Sequence, residues 1–171
     1  MRRRRGATGR ILSALAIGAA LVTAACSGTA PQPSREELRA AALEVAGDAF
    51  EREDKARASG DPGVLDGLFV PGSGFEAGLR REIAERKAAG LVFDADTHAE
   101  EVVLVSLDDA NAVVRLVNVA PGGALRDMRT GRVERVFGPG RTPWRVELAW
   151  SGGRWLVGGQ VPEADAAGPG A

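Results

Sequence analysis

Hydrophobic positions along this chain change their period once. From residue 34 to residue 90 they recur at spacings of three and four, and after Gly90 they alternate. Ser34-Arg35-Glu36-Glu37 reads as a capping box, in which the Ser oxygen takes an orphan N–H and the Glu reaches back to the cap. Leu38, Ala41, Ala42, Val45 and Ala49 then form one apolar stripe opposite Arg39, Glu44, Asp48 and Arg52. Gly60 offers the left-handed stop, so a first helix is expected over 34–59. Asp61-Pro62 reads as the cap and first-turn Pro of a short second helix carrying Val64, Leu65, Leu68 and Phe69, broken by Pro71-Gly72. A second capping box, Ser73-Gly74-Phe75-Glu76, opens a third helix with Phe75, Leu79 and Ile83 on its stripe, ending at Ala89-Gly90.

The alternating part predicts strands at 91–94, 101–107, 112–119, 132–137, 144–150 and 154–160. Asp108-Asp109-Ala110-Asn111 is a tight turn between two of them, and Ser151-Gly152-Gly153 a hairpin turn between the last pair. Trp144, Val146, Leu148 and Trp150 share one strand face, which needs a cover. The expected fold class is therefore α+β: three N-terminal helices packed on one side of a curved antiparallel sheet, over residues 34–163, followed by a fraying tail at 164–171.

The first 25 residues hold Arg2, Arg3, Arg4, Arg5 and Arg10 and no acid, ahead of an apolar run at 11–25. Such a run spans roughly 22 Å as a helix, short of the roughly 30 Å hydrocarbon core, and reads as a signal peptide (1–25) rather than a spanning helix. Gly6-Ala7-Thr8 follows the Arg cluster where twin-arginine export wants an aromatic or aliphatic pair, so the cluster reads as a positive-inside region. The run closes in Leu21-Val22-Thr23-Ala24-Ala25-Cys26, and there the chain resembles bacterial lipoproteins. That resemblance implies lipidation: Cys26 carries a diacylglyceryl thioether and becomes the mature N-terminus. Thr23 stands where the family usually has an aliphatic residue. Residues 26–33 would be a lipidated tether, and two acyl chains suffice for stable anchoring on the outer face of the cell membrane.

Composition narrows the chemistry. The 171 residues include one Cys, one His and no Tyr, too few for a zinc site, a disulfide or a two-His ligand set, so no metal and no cofactor are expected. Walker, dinucleotide-binding, Gly-x-Ser-x-Gly and Ser-x-x-Lys patterns are missing. Without residues 1–25 the chain carries 17 basic and 23 acidic groups, a net of −6 that disfavours nucleic acid. Residues 34–109 hold 18 acids and 9 bases, residues 110–171 hold 5 acids and 8 bases. Arg126, Arg129, Arg132, Arg135, Arg141 and Arg145 make the second half a candidate surface for anionic headgroups, a cell-wall polymer or an acidic partner, the plainer reading being neutralisation by the acidic helices.

Helices, a Gly-Asp pair after the first, and hairpins closing in Trp144-Arg145-Val146-Glu147-Leu148-Ala149-Trp150 and Gly152-Gly153-Arg154-Trp155-Leu156-Val157 resemble the nuclear transport factor 2-like superfamily. That resemblance implies a sheet wrapping a long helix as a cone with a pocket at its wide end. The superfamily hosts enzymes, binding modules and scaffolds, so function has to come from the site.

Two residues are candidates for pocket or anion contact. His98, with Asp94, Asp96, Glu100 and Glu101 nearby, is the minimum for acid–base chemistry of the polyketide-cyclase or dehydratase kind, although a solvated position between strands is the simpler reading. Arg115 interrupts Val113-Val114-Arg115-Leu116-Val117, where it either lines the cone mouth or pairs with a carboxylate on the wet face. No residue is assigned as catalytic. The expected function is a membrane-anchored, extracytoplasmic, non-enzymatic binding or scaffold module for a cell-envelope protein or a small apolar or anionic ligand, with a homodimer through the open sheet face as a further candidate; the alternative is an enzyme using His98 with a nearby Asp.

Overall fold

The computed structural model describes residues 32–163. The elements run α1 (Arg35–Ser59), a 3-10 turn (Pro62–Leu65), α2 (Gly74–Ala88), β1 (Leu91–Ala95), β2 (His98–Leu107), β3 (Asn111–Ala120), β4 (Gly123–Asp127), β5 (Val133–Phe137), β6 (Gly140–Ser151) and β7 (Arg154–Pro162). The signal peptide, Cys26 and the tail at 164–171 lie outside the described residues.

Both ends of α1 follow from local chemistry. Ser34 Oγ accepts from the Glu37 N–H at 3.2 Å, and Glu37 Oε2 accepts from the Ser34 N–H at 2.7 Å, completing the capping box. Gly60 closes the helix at φ 64°, a left-handed conformation that costs a glycine little. Between them the buried stripe is Ala42, Ala46, Ala49, Phe50 and Ala56. Leu38, Ala41 and Val45 are only partly buried at its margin. Small side chains let the helix axis lie close to the strands beneath it.

The expected three helices on a single sheet are not what forms: the described residues hold two α-helices and two separate antiparallel sheets. The segment expected as a second helix makes one turn of 3-10 helix, then reverses at Gly67 (φ 73°) and becomes extended. Val70 precedes Pro71, which disfavours helical backbone there. Instead Phe69 bridges Val157 in parallel, with the Val157 N–H donating to Leu68 O (2.8 Å) and the Val70 N–H to Val157 O (2.9 Å). Leu65, Leu68 and Phe69 are still buried, so the apolar pattern marked burial while the backbone satisfied itself on β7.

One sheet has the order β2-β3-β6-β7 and the other β1-β4-β5. β4 had no counterpart among the expected strands. In the larger sheet Val114 pairs with Val146 and Leu116 with Trp144, and this inward row meets α1 through Phe50, whose ring lies 5.4 Å from that of Trp144. Leu65, Ile83, Leu116, Val114, Val146 and Val157 are sealed from solvent. At the other end Trp150 and Trp155 meet edge to face at 5.1 Å across the Gly152-Gly153 turn.

Candidate functional site: a buried carboxylate cluster and an open sheet face

The buried row of α1 continues past Ala49 into charge. Glu53 stands four residues after Ala49 and three before Ala56, on the row that faces the sheets, and is 2% exposed. Its Oε1 accepts from Gln160 Nε2 of β7 at 2.6 Å, and its Oε2 pairs with Arg57 Nη2 at 3.2 Å. Arg57 also meets Asp54 Oδ1 at 3.4 Å and Glu82 Oε1 of α2 at 3.3 Å. Asp54 Oδ2 in turn accepts from Thr97, from its N–H at 3.0 Å and its hydroxyl at 2.5 Å. One guanidinium thus serves three carboxylates, and the network joins α1 to α2, to β7 and to the connector between β1 and β2.

Burial pushes the Glu53 carboxyl up to about 7; the Arg57 charge and the hydrogen bonds from Gln160 and Arg57 pull it back, and the neighbouring Asp54 charge adds to the rise. Among the described residues, two polar atoms on the inward faces of β3 and β6 have no hydrogen-bond partner: Asn118 Oδ1, an acceptor, and Trp144 Nε1, a donor. Chemically, this interior can hold and release one proton near neutral pH. Residue type concealed it in the sequence, where Glu53-Asp54 sits in a charged run; the 42-46-49-53-56 spacing was the available signal.

The anticipated site residues lie elsewhere. His98 opens β2 with its side chain 59% exposed, its Nε2 3.3 Å from Glu100 Oε1. Glu100 is held below the usual carboxylate range by hydrogen bonds from Arg141 and His98. Arg115 is 59% exposed on the outward face of the larger sheet, its Nε 2.7 Å from Glu163 Oε2. The two do not converge: His98 pairs with Val119, whereas Arg115 sits opposite Val103 of β2 and Arg145 of β6. The row Val103, Arg115, Arg145, Val161 crosses the whole outward face, two guanidiniums side by side between valines. Each Arg has its own carboxylate, since Arg145 Nη2 meets Glu147 Oε1 at 3.0 Å. Val103, Val105 and Val161 are exposed, and a shallow cleft of about 320 Å³ between β2 and β3 is lined by Glu101, Val103, Val105, Arg115 and Val117. A second cleft of about 690 Å³ runs between Arg35 and Arg39 of α1 and the end of β2.

Among the described residues, no group of three or more His, Cys, Asp or Glu is arranged to hold a metal ion, and no helix is long and apolar enough to cross a membrane. No protein-family model matches the chain, and no curated protein matches it. Solved structures do match in fold. The intermembrane space region of the chloroplast protein ARC6 is similar over 77% of this chain and 99% of its own, at 18% identity and a TM-score of 0.57. A protein from Novosphingobium aromaticivorans, provisionally described as an aromatic ring hydroxylase, is similar over 77% of this chain and 91% of its own, at 12% identity and a TM-score of 0.54. At such identities the likeness is one of fold. The similar structures also include an NTF2-like protein with a cystatin-like fold from the same species, 16% identical over 78% of this chain and 86% of its own, at a TM-score of 0.45.

Proposed function

We propose that this chain is a lipid-anchored, extracytoplasmic binding module with a nuclear transport factor 2-like domain, and that it engages a protein partner of the cell envelope through the outward face of its larger sheet. The observation that supports this most is the placement of exposed apolar side chains. Val103, Val105 and Val161 are 56%, 61% and 47% exposed and flank a strip of paired charges on one face, an arrangement suited to a partner that covers valines and reads the Arg and Glu pattern. The inward face is by contrast filled by Phe50, Leu65, Leu116, Trp144 and Val146. Anchoring at Cys26 would keep the domain at the membrane, within reach of an envelope partner.

A catalytic reading has one observation in its favour, the Glu53 carboxyl raised to about 7 by burial. Against it, Glu53 is already occupied by Gln160 and Arg57, and His98 points to solvent. Binding is therefore the preferred function.

The test is site-specific photo-cross-linking of the full-length protein in its native membrane, with the photoreactive residue at Val103 or Val161 and, for comparison, at exposed Glu85 of α2. A discrete protein adduct from both sheet positions and none from Glu85 is expected. No adduct, or the same adducts from all three positions, overturns the proposal.

A further inference from the structure

The cluster around Glu53 has an unbalanced charge. Glu82 has a second cation, since its Oε1 also meets Arg86 Nη1 at 3.1 Å near the surface. Among the described residues, Glu53 and Asp54, both buried, have only the Arg57 cation between them. Asp54 receives two further donors from Thr97; Glu53 receives the neutral amide of Gln160. The groups facing Glu53 are thus Asp54 and Arg57 of its own helix, Gln160 from β7 and, through Arg57, Glu82 from α2. Two buried carboxylates sharing one guanidinium leave one negative charge uncompensated in a medium that solvates it poorly, and a proton on the more enclosed of the two removes it.

We propose that Glu53, Arg57 and Gln160 form a proton-operated clasp that fastens α1 to β7 when one proton is held on Glu53 Oε1, the Gln160 amide then turning its carbonyl oxygen to accept from that O–H while Arg57 still donates to Oε2, and that it loosens when the proton is lost and a charge is left buried. The consequence falls on the contact one turn back along α1, where Phe50 packs on Trp144. Trp144 Nε1 and Asn118 Oδ1 lie on the inward face of that same region, without partners among the described residues. When α1 loosens, water reaches a donor and an acceptor that are unpaired in the closed form, and each bond it makes offsets part of the lost packing. Opening is thereby cheapest at this end of the helix. The burial-raised carboxyl agrees with this geometry, placing the proton's release near neutrality.

Amide hydrogen exchange read by mass spectrometry on the full-length protein tests the clasp, with rates at pH 6 and pH 8 corrected for intrinsic exchange. Peptides covering β7 and the second half of α1 are expected to exchange about tenfold faster at pH 8 in the wild type, with the difference shrinking below about twofold in Glu53→Gln and persisting in Glu82→Gln. Equal protection at both pH values, or an unchanged difference in Glu53→Gln, overturns the proposal. Should Glu53→Gln fail to fold, the side-chain carboxyl carbon of Glu53 in the wild type is followed by NMR. A single transition between pH 6 and 8, accompanied by a shift of the Trp144 indole N–H, supports the clasp; titration in the ordinary carboxylate range, or an unmoved indole, refutes it.

Discussion

Trp155 Nε1 donates a 2.8 Å hydrogen bond to the carbonyl oxygen of Leu38, joining the start of β7 to the first turns of α1 across 117 positions of sequence. The indole is 2% exposed and carries both the packing and the polar contact at this end of the helix. Trp155→Ala is expected to cost roughly 3 to 5 kcal/mol by urea denaturation, as for other fully buried aromatic residues. Trp155→Phe keeps most of the volume and isolates the hydrogen bond, at about 1 kcal/mol, because the Leu38 carbonyl lies inside α1 and keeps its helical partner. A Trp155→Ala loss below about 1 kcal/mol would show that the indole is dispensable for the fold.

Glu53 gives a pH dependence whose sign is unusual for a carboxylate. Its group is raised from 4.5 to about 7 by burial, so the native state holds a proton that the unfolded chain releases. The resulting stabilisation is full below about 4.5, declines as pH rises through the window to about 7, and is lost above it. Over that window the decline amounts to roughly 3 kcal/mol. Glu53→Gln is expected to flatten the dependence, so that its stability relative to wild type improves steadily from pH 5 to pH 8. Urea midpoints at four pH values measure this, and parallel profiles would refute it.

Ser34→Ala removes the oxygen that receives the Glu37 N–H and should cost about 1 kcal/mol of stability, visible as fraying of the first turn of α1 in hydrogen exchange. Ser73→Ala tests the second box, where the reciprocal arm differs. Glu76 Oε2 accepts from the Gly72 N–H at 3.3 Å rather than from the cap residue itself, so the loss there is expected to be no larger.

His98→Ala is expected to change stability by less than about 0.5 kcal/mol, because the side chain is exposed and its partner Glu100 keeps Arg141 at 2.7 Å. A large loss would mean that the imidazole supports the start of β2. Cys26→Ser is expected to remove the acyl chains and release the protein from the membrane fraction, checked by mass spectrometry and fractionation. Membrane retention without acylation would instead assign anchoring to the apolar run at 11–25.

How much was legible in the sequence depended on whether the signal was local. Ser34, Gly60, Ser73 and the Gly152-Gly153 turn each solve a backbone problem within a few residues, and each stands where the sequence put it. The segment after Pro62 misled because Leu65, Leu68 and Phe69 fit a helical stripe, while its backbone partner, Val157, lies far along the chain. β4 was missed because Gly123-Ala124-Leu125-Arg126-Asp127 has no apolar alternation and owes its pairing to β1 and β5 on either side. Glu53 was passed over because charge was read as exposure. The Trp-bearing strand pair was legible, with Val146 and Leu148 buried on the same face as the indoles.

The stretch at 68–70 that lies along β7 decides how this protein can fail as well as how it folds. By supplying main-chain partners to Val157, it occupies part of a border that would otherwise recruit a stranger's backbone. The opposite border, β2, is interrupted by two register shifts, with Glu101 forced to φ 50° beside one of them. A ribbon that extends without limit needs two welcoming margins. This sheet has one partly occupied and one irregular, which leaves it a poor template for open-ended polymerisation.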